Sequence, residues 1–356
     1  MQRRERSLDI FRGLTLAAMI LVNTPGSWAH IYAPLKHASW HGLTPTDLIF
    51  PFFLFIVGAA MFHSMARYIG QPIPWRRIIK RTVLLFAIGV ALNIYPFTGD
   101  PEHWRIMGVL QRIALAYCAG AILILTLPRQ ALWYVSGAML LGYWGLLLLV
   151  DQPFSLEHNL VRQVDLTLLG ASHLYQGFGV AFDPEGLLST IPATVTLLMG
   201  YLTSALLSEQ NTASDKCRRL LLAAIAALAV GYLWDAVFPI NKALWSSSYV
   251  LVTTGYGWLV LSAIIYLLEI RQQQTGFAWM EIYGTNPLFV YVLAWLYAAT
   301  LYLIPVGDTT AYTALYDTLN NLLSAKNASL AFALLAVLLF YVVSHVLYKR
   351  RIFIKL

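Results

Sequence analysis

The stretch between residues 23 and 47 combines side chains that can do acid–base chemistry on a substrate. It begins with the amide of Asn23, and its last part, residues 35–47, contains two imidazoles, His37 and His41, and one carboxylate, Asp47. A neutral imidazole is available near neutral pH to take a proton from an attacking amine or hydroxyl. An asparagine amide can donate hydrogen bonds to an oxygen on which negative charge develops. The stretch therefore offers a candidate general base, His37, and a candidate oxyanion donor, Asn23.

Two other interpretations of this stretch are open. His37 and His41 could ligate a metal ion together, but the intervening Trp40 and the following Gly42 indicate an irregular loop, and no third or fourth ligand stands out. We therefore expect no metal. In the second alternative these are ordinary interfacial residues, of the kind that form an aromatic belt at a membrane surface.

The elements that position this stretch are predicted to be membrane-spanning helices. Of the 356 residues, 59% are hydrophobic and 12% are charged, and the mean hydropathy is +0.65, which is far from the composition of soluble domains. Apolar runs of about 20 residues recur along the chain and leave no block long enough to fold alone in water. We predict an all-α integral membrane protein, with one transmembrane domain over residues 1–356 and a bundle of about ten helices. The predicted spans lie near residues 8–28, 46–68, 78–97, 107–127, 130–150, 187–207, 218–238, 248–269, 284–305 and 328–348.

Basic residues predict the orientation of these helices. Alternate connecting segments carry most of the 24 lysines and arginines, including Arg3 and Arg4 at one end of the chain and Lys355 at the other. Positive charge on short segments marks the cytoplasmic side. We therefore expect both termini in the cytoplasm and residues 25–45 on the opposite side. The net charge of +7 then reflects orientation, and no nucleic-acid partner is expected.

Charged side chains within the predicted spans are further candidates. Asp9 and Arg12 are three residues apart, so they share one face of the first helix and are expected to form an ion pair. The functional interpretation is a contact to an anionic cofactor, because a guanidinium suits phosphate or carbonyl oxygens. The alternative is that the pair anchors the helix end. Arg112 lies inside the fourth span beside Gln111, where a guanidinium marks a cavity or an ion pair.

Six strings in order along most of the chain carry a family resemblance. They are SLDIFRGLT, the asparagine of ILVNTPG, KHASWHGLTPTDLIFPFFLFIVG, RIMGVLQRIALAY, FDPEGLLSTIPA and INKALWSSSYVL. Together they resemble the family of heparan-α-glucosaminide N-acetyltransferase, a lysosomal membrane enzyme with bacterial relatives associated with N-acetylglucosamine utilisation. This chain differs from the animal members at His41, where they have asparagine. Long strings in a fixed order are more specific than any single short motif.

The resemblance implies transfer of acetyl from cytoplasmic acetyl-CoA to the amine of a glucosamine-type sugar on the far side of the membrane. It implies that His37 and Asn23 are catalytic, and that the protein is a multi-pass homodimer in a bacterial inner membrane, surrounded by lipid. An acetyl-histidine intermediate and direct transfer within a ternary complex are both open. We expect direct transfer, because a thioester is already an activated acyl group.

Other polar residues are predicted to line the two substrate sites. Those expected to contact acetyl-CoA are Asp9, Arg12, Arg112, Lys242, Trp245 and Ser248. Those expected to contact the acceptor sugar are Asp47, Asp183, Glu185 and Asn286. The alternative pairs these charges with one another, for example Arg112 with Asp9 or Asp235.

A proton-coupled amino-sugar transporter is the main alternative function. Buried charges such as Asp9, Arg112 and Asp235 could couple protons to transport in the same number of helices. The cluster of Asn23, His37 and Asp47 favours the enzyme, because coupling residues of transporters lie near the bilayer midplane and not in a loop.

Overall fold

The computed structural model describes residues 6–354, so Arg3, Arg4 and Lys355 of the orientation prediction lie outside the described residues. Within this range the regular secondary structure is helical except for one short antiparallel hairpin, β1 (Pro305–Val306) and β2 (Thr309–Thr310), in which Pro305 pairs with Thr310. The helices are α1 (Arg6–Asn23), α2 (Ile49–Met65), α3 (Trp75–Ile94), α4 (Val109–Thr126), α5 (Arg129–Leu147), α6 (Leu160–Leu169), α7 (Thr190–Ser208), α8 (Ala213–Asp235), α9 (Ser247–Ile265), α10 (Ala278–Tyr283), α11 (Pro287–Leu303), α12 (Ala311–Asn320) and α13 (Ala325–Lys349).

The helices confirm the all-α class of a multi-pass membrane protein. Each predicted span overlaps one long helix, and within residues 6–354 six helical segments are long and apolar enough to cross a membrane. The full number of about ten spans and the orientation of the termini stay predictions. Three short helices, α6, α10 and α12, lie in segments that were expected to be loops. The six segments are Pro45–Tyr68, Val109–Thr126, Thr190–Ser208, Ala213–Asp235, Ser247–Ile270 and Ala325–Lys349.

The described residues divide into two compact units. The larger unit contains Ser39–Leu43 and Phe50–Tyr266, and therefore α2 to α9. The smaller unit contains residues 6–38, Thr44–Ile49 and 267–354, and therefore α1 and α10 to α13. The prediction of one domain over the whole chain stays a prediction.

In the larger unit, glycines allow α2 and α7 to pack backbone against backbone. A Cβ atom added to Gly58 would lie 1.7 Å from the carbonyl oxygen of Leu197, and one added to Gly200 would lie 1.8 Å from that of Phe55. Membrane helices that approach this closely need residues without a side chain at the crossing point. The core of the larger unit is therefore built around α7, whose residues are nearly all buried.

In the smaller unit, α1 packs against α10 and α13, and the segment after its C-terminal end is held by a tyrosine. A Cβ atom on Gly13 would lie 1.7 Å from the carbonyl oxygen of Met280, so α1 and α10 also touch through backbone. The hydroxyl of Tyr312 donates to the carbonyl of Pro25 over 2.7 Å, just beyond the end of α1. This bond fixes the start of the loop that carries the candidate base.

Candidate active site

His37 and Asp47 form a hydrogen-bonded pair in the smaller unit. Nδ1 of His37 lies 2.6 Å from Oδ1 of Asp47. The pair forms because the chain enters a short 3₁₀ helix (Pro45–Leu48) capped at Thr44, and this turn directs its third residue, Asp47, back toward the loop. The Asp47 side chain is only 1% exposed, whereas that of His37 is 47% exposed. The loop therefore buries the carboxylate and presents the imidazole.

The second oxygen of Asp47 is held by the backbone. Oδ2 accepts hydrogen bonds from the N–H of Ala38 over 3.1 Å and from the N–H of Thr44 over 3.0 Å. A carboxylate fixed against Nδ1 of an imidazole holds the tautomer that carries the hydrogen on Nδ1, which leaves the lone pair on Nε2. Asp47 thus orients His37, and its predicted contact with the sugar stays a prediction.

Asn23 is the last residue of α1 and is exposed. It lines a cavity of about 210 Å³ between α1 and α11, and His37 is not among the residues that line this cavity. The structure places both predicted catalytic residues in the smaller unit.

The other predicted residues of the smaller unit have local partners. The expected ion pair of Asp9 and Arg12 is confirmed, with Oδ1 and Nη1 2.7 Å apart and both side chains 17% exposed. Arg12 also lies 3.4 Å from the carbonyl oxygen of Gly284. Asn286 is completely buried and binds the end of the described chain, since its amide donates to Ile352 and its carbonyl accepts from the N–H of Ile354. Contacts of these residues with substrates stay predictions.

Arg112 is fully buried in the larger unit without a carboxylate partner among the described residues. Its Nη2 donates to the carbonyl of Gly186 over 3.0 Å and to the hydroxyl of Ser189. Its guanidinium carbon lies 5.0 Å from the ring centre of Trp245. Within residues 6–354, Nε and Nη1 have no hydrogen-bond partner. Of the two partners that the sequence suggested for Arg112, Asp235 accepts from the N–H of Ile240, and Asp9 of the smaller unit forms an ion pair with Arg12.

Trp245 and Ser248 are both fully buried near the start of α9, and Lys242 is partly buried in the preceding turn. The indole of Trp245 donates to the hydroxyl of Thr196 over 3.1 Å. The hydroxyl of Ser248 donates to the carbonyl of Phe238 over 2.6 Å. The structure thus brings Arg112 and Trp245 together, and it gives Ser248 a structural hydrogen bond.

Asn241 links the turn before α9 to His41. Its Nδ2 lies 3.2 Å from Nδ1 of His41, and its carbonyl accepts from the N–H of Leu244. Partial burial lowers the pKa of His41 below its ordinary value, while the carboxylate of Asp235 acts in the opposite direction. The neutral imidazole is therefore favoured at His41.

Asp183 and Glu185 bind Arg105, which the sequence analysis did not select. Nε and Nη2 of Arg105 lie 2.9 and 2.8 Å from the two oxygens of Asp183, and Nη2 lies 2.6 Å from Glu185. Burial alone would lower the pKa of Arg105, but the hydrogen bonds and charges of these carboxylates raise it above its ordinary value. Two acids so close in sequence indicate that a cation lies nearby in the fold. The sequence did not identify this cation as Arg105, because Arg105 precedes Asp183 by 78 residues. Contacts of Asp183 and Glu185 with the sugar stay predictions.

Asp165 of α6 is a second residue that the sequence analysis missed. It is completely buried, and its Oδ1 accepts from the N–H of Leu187 over 2.9 Å. Its Oδ2 has no partner within the described residues. Burial raises the pKa of Asp165 to about 6.

Within residues 6–354 no group of three His, Cys, Asp or Glu side chains is arranged to hold a metal ion. His37 and His41 instead bind Asp47 and Asn241.

The chain is similar in sequence to one family of known proteins. Residues 4–230 match the family described as "Heparan-alpha-glucosaminide N-acetyltransferase, catalytic". The human heparan-alpha-glucosaminide N-acetyltransferase is 29% identical over 351 residues, which cover 81% of this chain and 52% of the human protein. The mouse protein of the same name is 29% identical over 352 residues, covering 81% of this chain and 53% of its own length. The chain spans about half the length of these relatives. The matched range contains Asn23, His37, Asp47 and Arg112.

Proposed function

The chain belongs to the heparan-α-glucosaminide N-acetyltransferase family, and from this premise we propose that it transfers acetyl from acetyl-CoA to the amine of a glucosamine-type sugar. The observation that carries the proposal is the pair of His37 and Asp47, in which a buried carboxylate holds Nδ1 of a half-exposed imidazole at 2.6 Å. A base oriented in this way can accept a proton at Nε2.

His37 and Asn23 divide the work of the transfer. Bound acetyl-CoA supplies a thioester, which is an activated acyl group. Nε2 of His37 takes the proton that the sugar amine loses as its nitrogen bonds to the acyl carbon, and it then delivers this proton to the departing thiolate. The amide of Asn23 donates to the carbonyl oxygen while negative charge develops there. Acetyl passes directly to the amine, so no acetyl-histidine forms.

Arg112 supports the use of an oxygen-rich acyl donor. A guanidinium with two unpartnered nitrogen atoms, Nε and Nη1, in a fully buried position is costly unless an oxygen acceptor reaches it. The carbonyl and phosphate oxygens of acetyl-CoA have the chemistry that a guanidinium binds best. Trp245 stacks against the same group and limits its movement. Asp9, Arg12, Lys242 and Ser248 remain further proposed contacts of the donor.

The membrane arrangement is part of the proposal. About ten spans with both termini in the cytoplasm leave the loop of His37 on the periplasmic face of a bacterial inner membrane. The acyl donor then enters from the cytoplasm and the sugar from the periplasm, and the protein works as a homodimer in lipid. Asp183, Glu185 and Asn286 stay candidate contacts of the acceptor.

The test is acetyl-CoA consumption by the purified protein in detergent with glucosamine as the acceptor. We expect turnover in the wild type and a loss of about 10²–10⁴-fold in His37→Ala, which is the range for removal of a general base. His103→Ala is the matched control, because this histidine is 71% exposed and its nearest carboxylate, Asp100, is 3.7 Å away. The control should retain wild-type turnover, and thermal unfolding should show that both variants are folded.

A wild type without turnover, and without thermal stabilisation by CoA, would refute the acetyltransferase proposal. A proton-coupled amino-sugar transporter would then be the better hypothesis. Equal loss of turnover in His37→Ala and His103→Ala would refute the assignment of His37 as the base.

A further inference from the structure

A cavity of about 210 Å³ lies between α1 and α11 of the smaller unit, and Asn23 forms part of its wall. The rest of the wall is mainly aromatic or small, with Tyr291, Trp295 and Tyr302 beside alanines such as Ala298. Asn23 is exposed, so its amide is accessible from this space. The cavity therefore lies next to the residue that the proposed function uses at the reacting carbonyl.

The spacing of residues along α11 explains the cavity. Tyr291, Trp295, Ala298 and Tyr302 follow one another at intervals of three or four residues, which places them on one face of the helix. The alanine leaves a volume that a larger side chain would fill. The ring of Tyr302 stacks on Tyr312 with centroids 4.1 Å apart, so one wall is held in place. The cavity is preformed by the fold.

The volume suits a single six-membered ring with substituents. An apolar cavity of about 150 Å³ is large enough to take up benzene, and pockets for drug-sized ligands start at about 300 Å³. The value of about 210 Å³ lies between these sizes. The whole of acetyl-CoA is much larger, so the acceptor is the substrate of the right size.

The chemistry of the wall also suits an amino sugar. A pyranose ring has an apolar face of C–H groups and an edge of hydroxyl groups. Tryptophan and tyrosine offer an apolar ring with an N–H or O–H group at its edge, and their faces attract an ammonium group. The amide of Asn23 adds hydrogen-bond donors and an acceptor. A polar side chain on a membrane helix is expected where it faces such a cavity.

We propose that this cavity is the subsite for the sugar ring of the acceptor, with Trp295 as the stacking residue and Asn23 at the reacting end. The inference rests on the proposed function, whose acceptor site it names, and it adds residues of α11 that the sequence analysis did not select. A lipid acyl chain is the competing occupant. An acyl chain would use the apolar wall but not the amide of Asn23.

The test measures binding of tritiated glucosamine to the full chain in detergent, in the absence of acetyl-CoA. Trp295→Leu should raise the dissociation constant about tenfold, because an aromatic face is lost, and Trp295→Phe should recover most of the affinity. Ala298→Leu should abolish binding by filling the cavity, and thermal unfolding should show that this variant is folded, because Ala298 also packs against the cluster that contains Tyr312. Trp133→Leu is the matched control, since this tryptophan is 45% exposed on α5 of the larger unit. It should bind as the wild type does.

Unchanged affinity in Trp295→Leu and Ala298→Leu would overturn the subsite. Absence of saturable binding to the wild type would also overturn it, as expected for a cavity filled by lipid. Acetyl-CoA turnover by the same preparations separates this inference from the proposed function. Wild-type turnover with a KM for glucosamine that neither variant changes refutes the subsite alone. Glucosamine binding that depends on Trp295, without any turnover, refutes the proposed reaction and supports the subsite.

Discussion

Asp47→Asn should inactivate the candidate base while leaving the loop folded. The Oδ2 position of Asp47 receives two backbone N–H groups, from Ala38 at 3.1 Å and Thr44 at 3.0 Å. An asparagine must place its carbonyl there, because its NH₂ group cannot accept hydrogen bonds. Its NH₂ group then faces Nδ1 of His37, which must become an acceptor. The imidazole hydrogen moves to Nε2, and the lone pair needed for proton abstraction is lost.

The expected loss of kcat is about 10²–10³-fold, equivalent to about 2.7–4 kcal/mol in the activation barrier. Changing the aspartate of a buried Asp–His pair to asparagine costs about 10⁴-fold in serine proteases. A smaller effect is expected here because the side chain of His37 is 47% exposed, so water can exchange its proton. The KM for acetyl-CoA should not change, and the free energy of unfolding should fall by only about 1 kcal/mol because both backbone hydrogen bonds survive.

The assay is thiol release from acetyl-CoA with glucosamine at saturating concentration, for the wild type, Asp47→Asn, His37→Ala and the double variant. Asp308→Asn makes the same chemical change at an exposed position between β1 and β2, and it should be fully active. Because the two residues act as one unit, the double variant should be no slower than His37→Ala alone. Multiplicative losses in the double variant would refute this reasoning, and they would favour the contact of Asp47 with the sugar that the sequence predicted.

Two further predictions concern stability, measured by thermal unfolding in detergent. Burial raises the pKa of Asp165 from 3.8 to about 6. Between these two pH values the native state keeps a proton that the unfolded chain releases. The free energy of unfolding should therefore fall by up to about 3 kcal/mol as pH rises from 4 to above 6. Asp165→Asn should lack this decrease, and a difference from the wild type that is constant with pH would contradict it. Gly200→Ala should destabilise by about 1–3 kcal/mol or more, because its Cβ would meet the backbone of Phe55. Gly137→Ala on α5 has nothing within 4 Å of the added atom and should be neutral or stabilising, so equal effects would refute the packing argument.

The sequence predicted the helices well because their signal is local. Apolar runs of membrane-spanning length identify a helix without knowledge of its neighbours, and the run expected at 187–207 is observed as Thr190–Ser208. The pair of Asp9 and Arg12 followed from helical spacing for the same reason. Short helices such as α6 and α12 were missed, because ten residues of mixed polarity resemble a loop when the surface they pack against is unknown.

The candidate site was only partly predictable because its contacts are not local. The sequence identified His37 and Asp47 as residues of one loop, but it did not show that the turn at Thr44 directs the carboxylate onto Nδ1. The cavity beside Asn23 could not be predicted from the sequence either, because its wall forms only where two helices meet. Aromatic residues and alanines on α11 look like ordinary lipid-facing positions until α1 is placed against them.

The partners of Arg112 and Arg105 could not be predicted from the sequence, because they depend on which carboxylates the fold brings to each guanidinium. From the sequence, Arg112 marks a cavity or an ion pair, with Asp9 or Asp235 as example partners. Two other carboxylates, Asp183 and Glu185, lie close in sequence to its actual partner Ser189. Arg105 takes both of them, and Arg112 is left with neutral acceptors, the hydroxyl of Ser189 and a backbone carbonyl. Neutral partners hold the guanidinium in place without cancelling its charge, and Nε and Nη1 keep their hydrogens unused within the described residues. Because both acids bind Arg105, Arg112 keeps its buried positive charge without an ion pair among the described residues, and its proposed contact with the oxygens of the acyl donor rests on this feature.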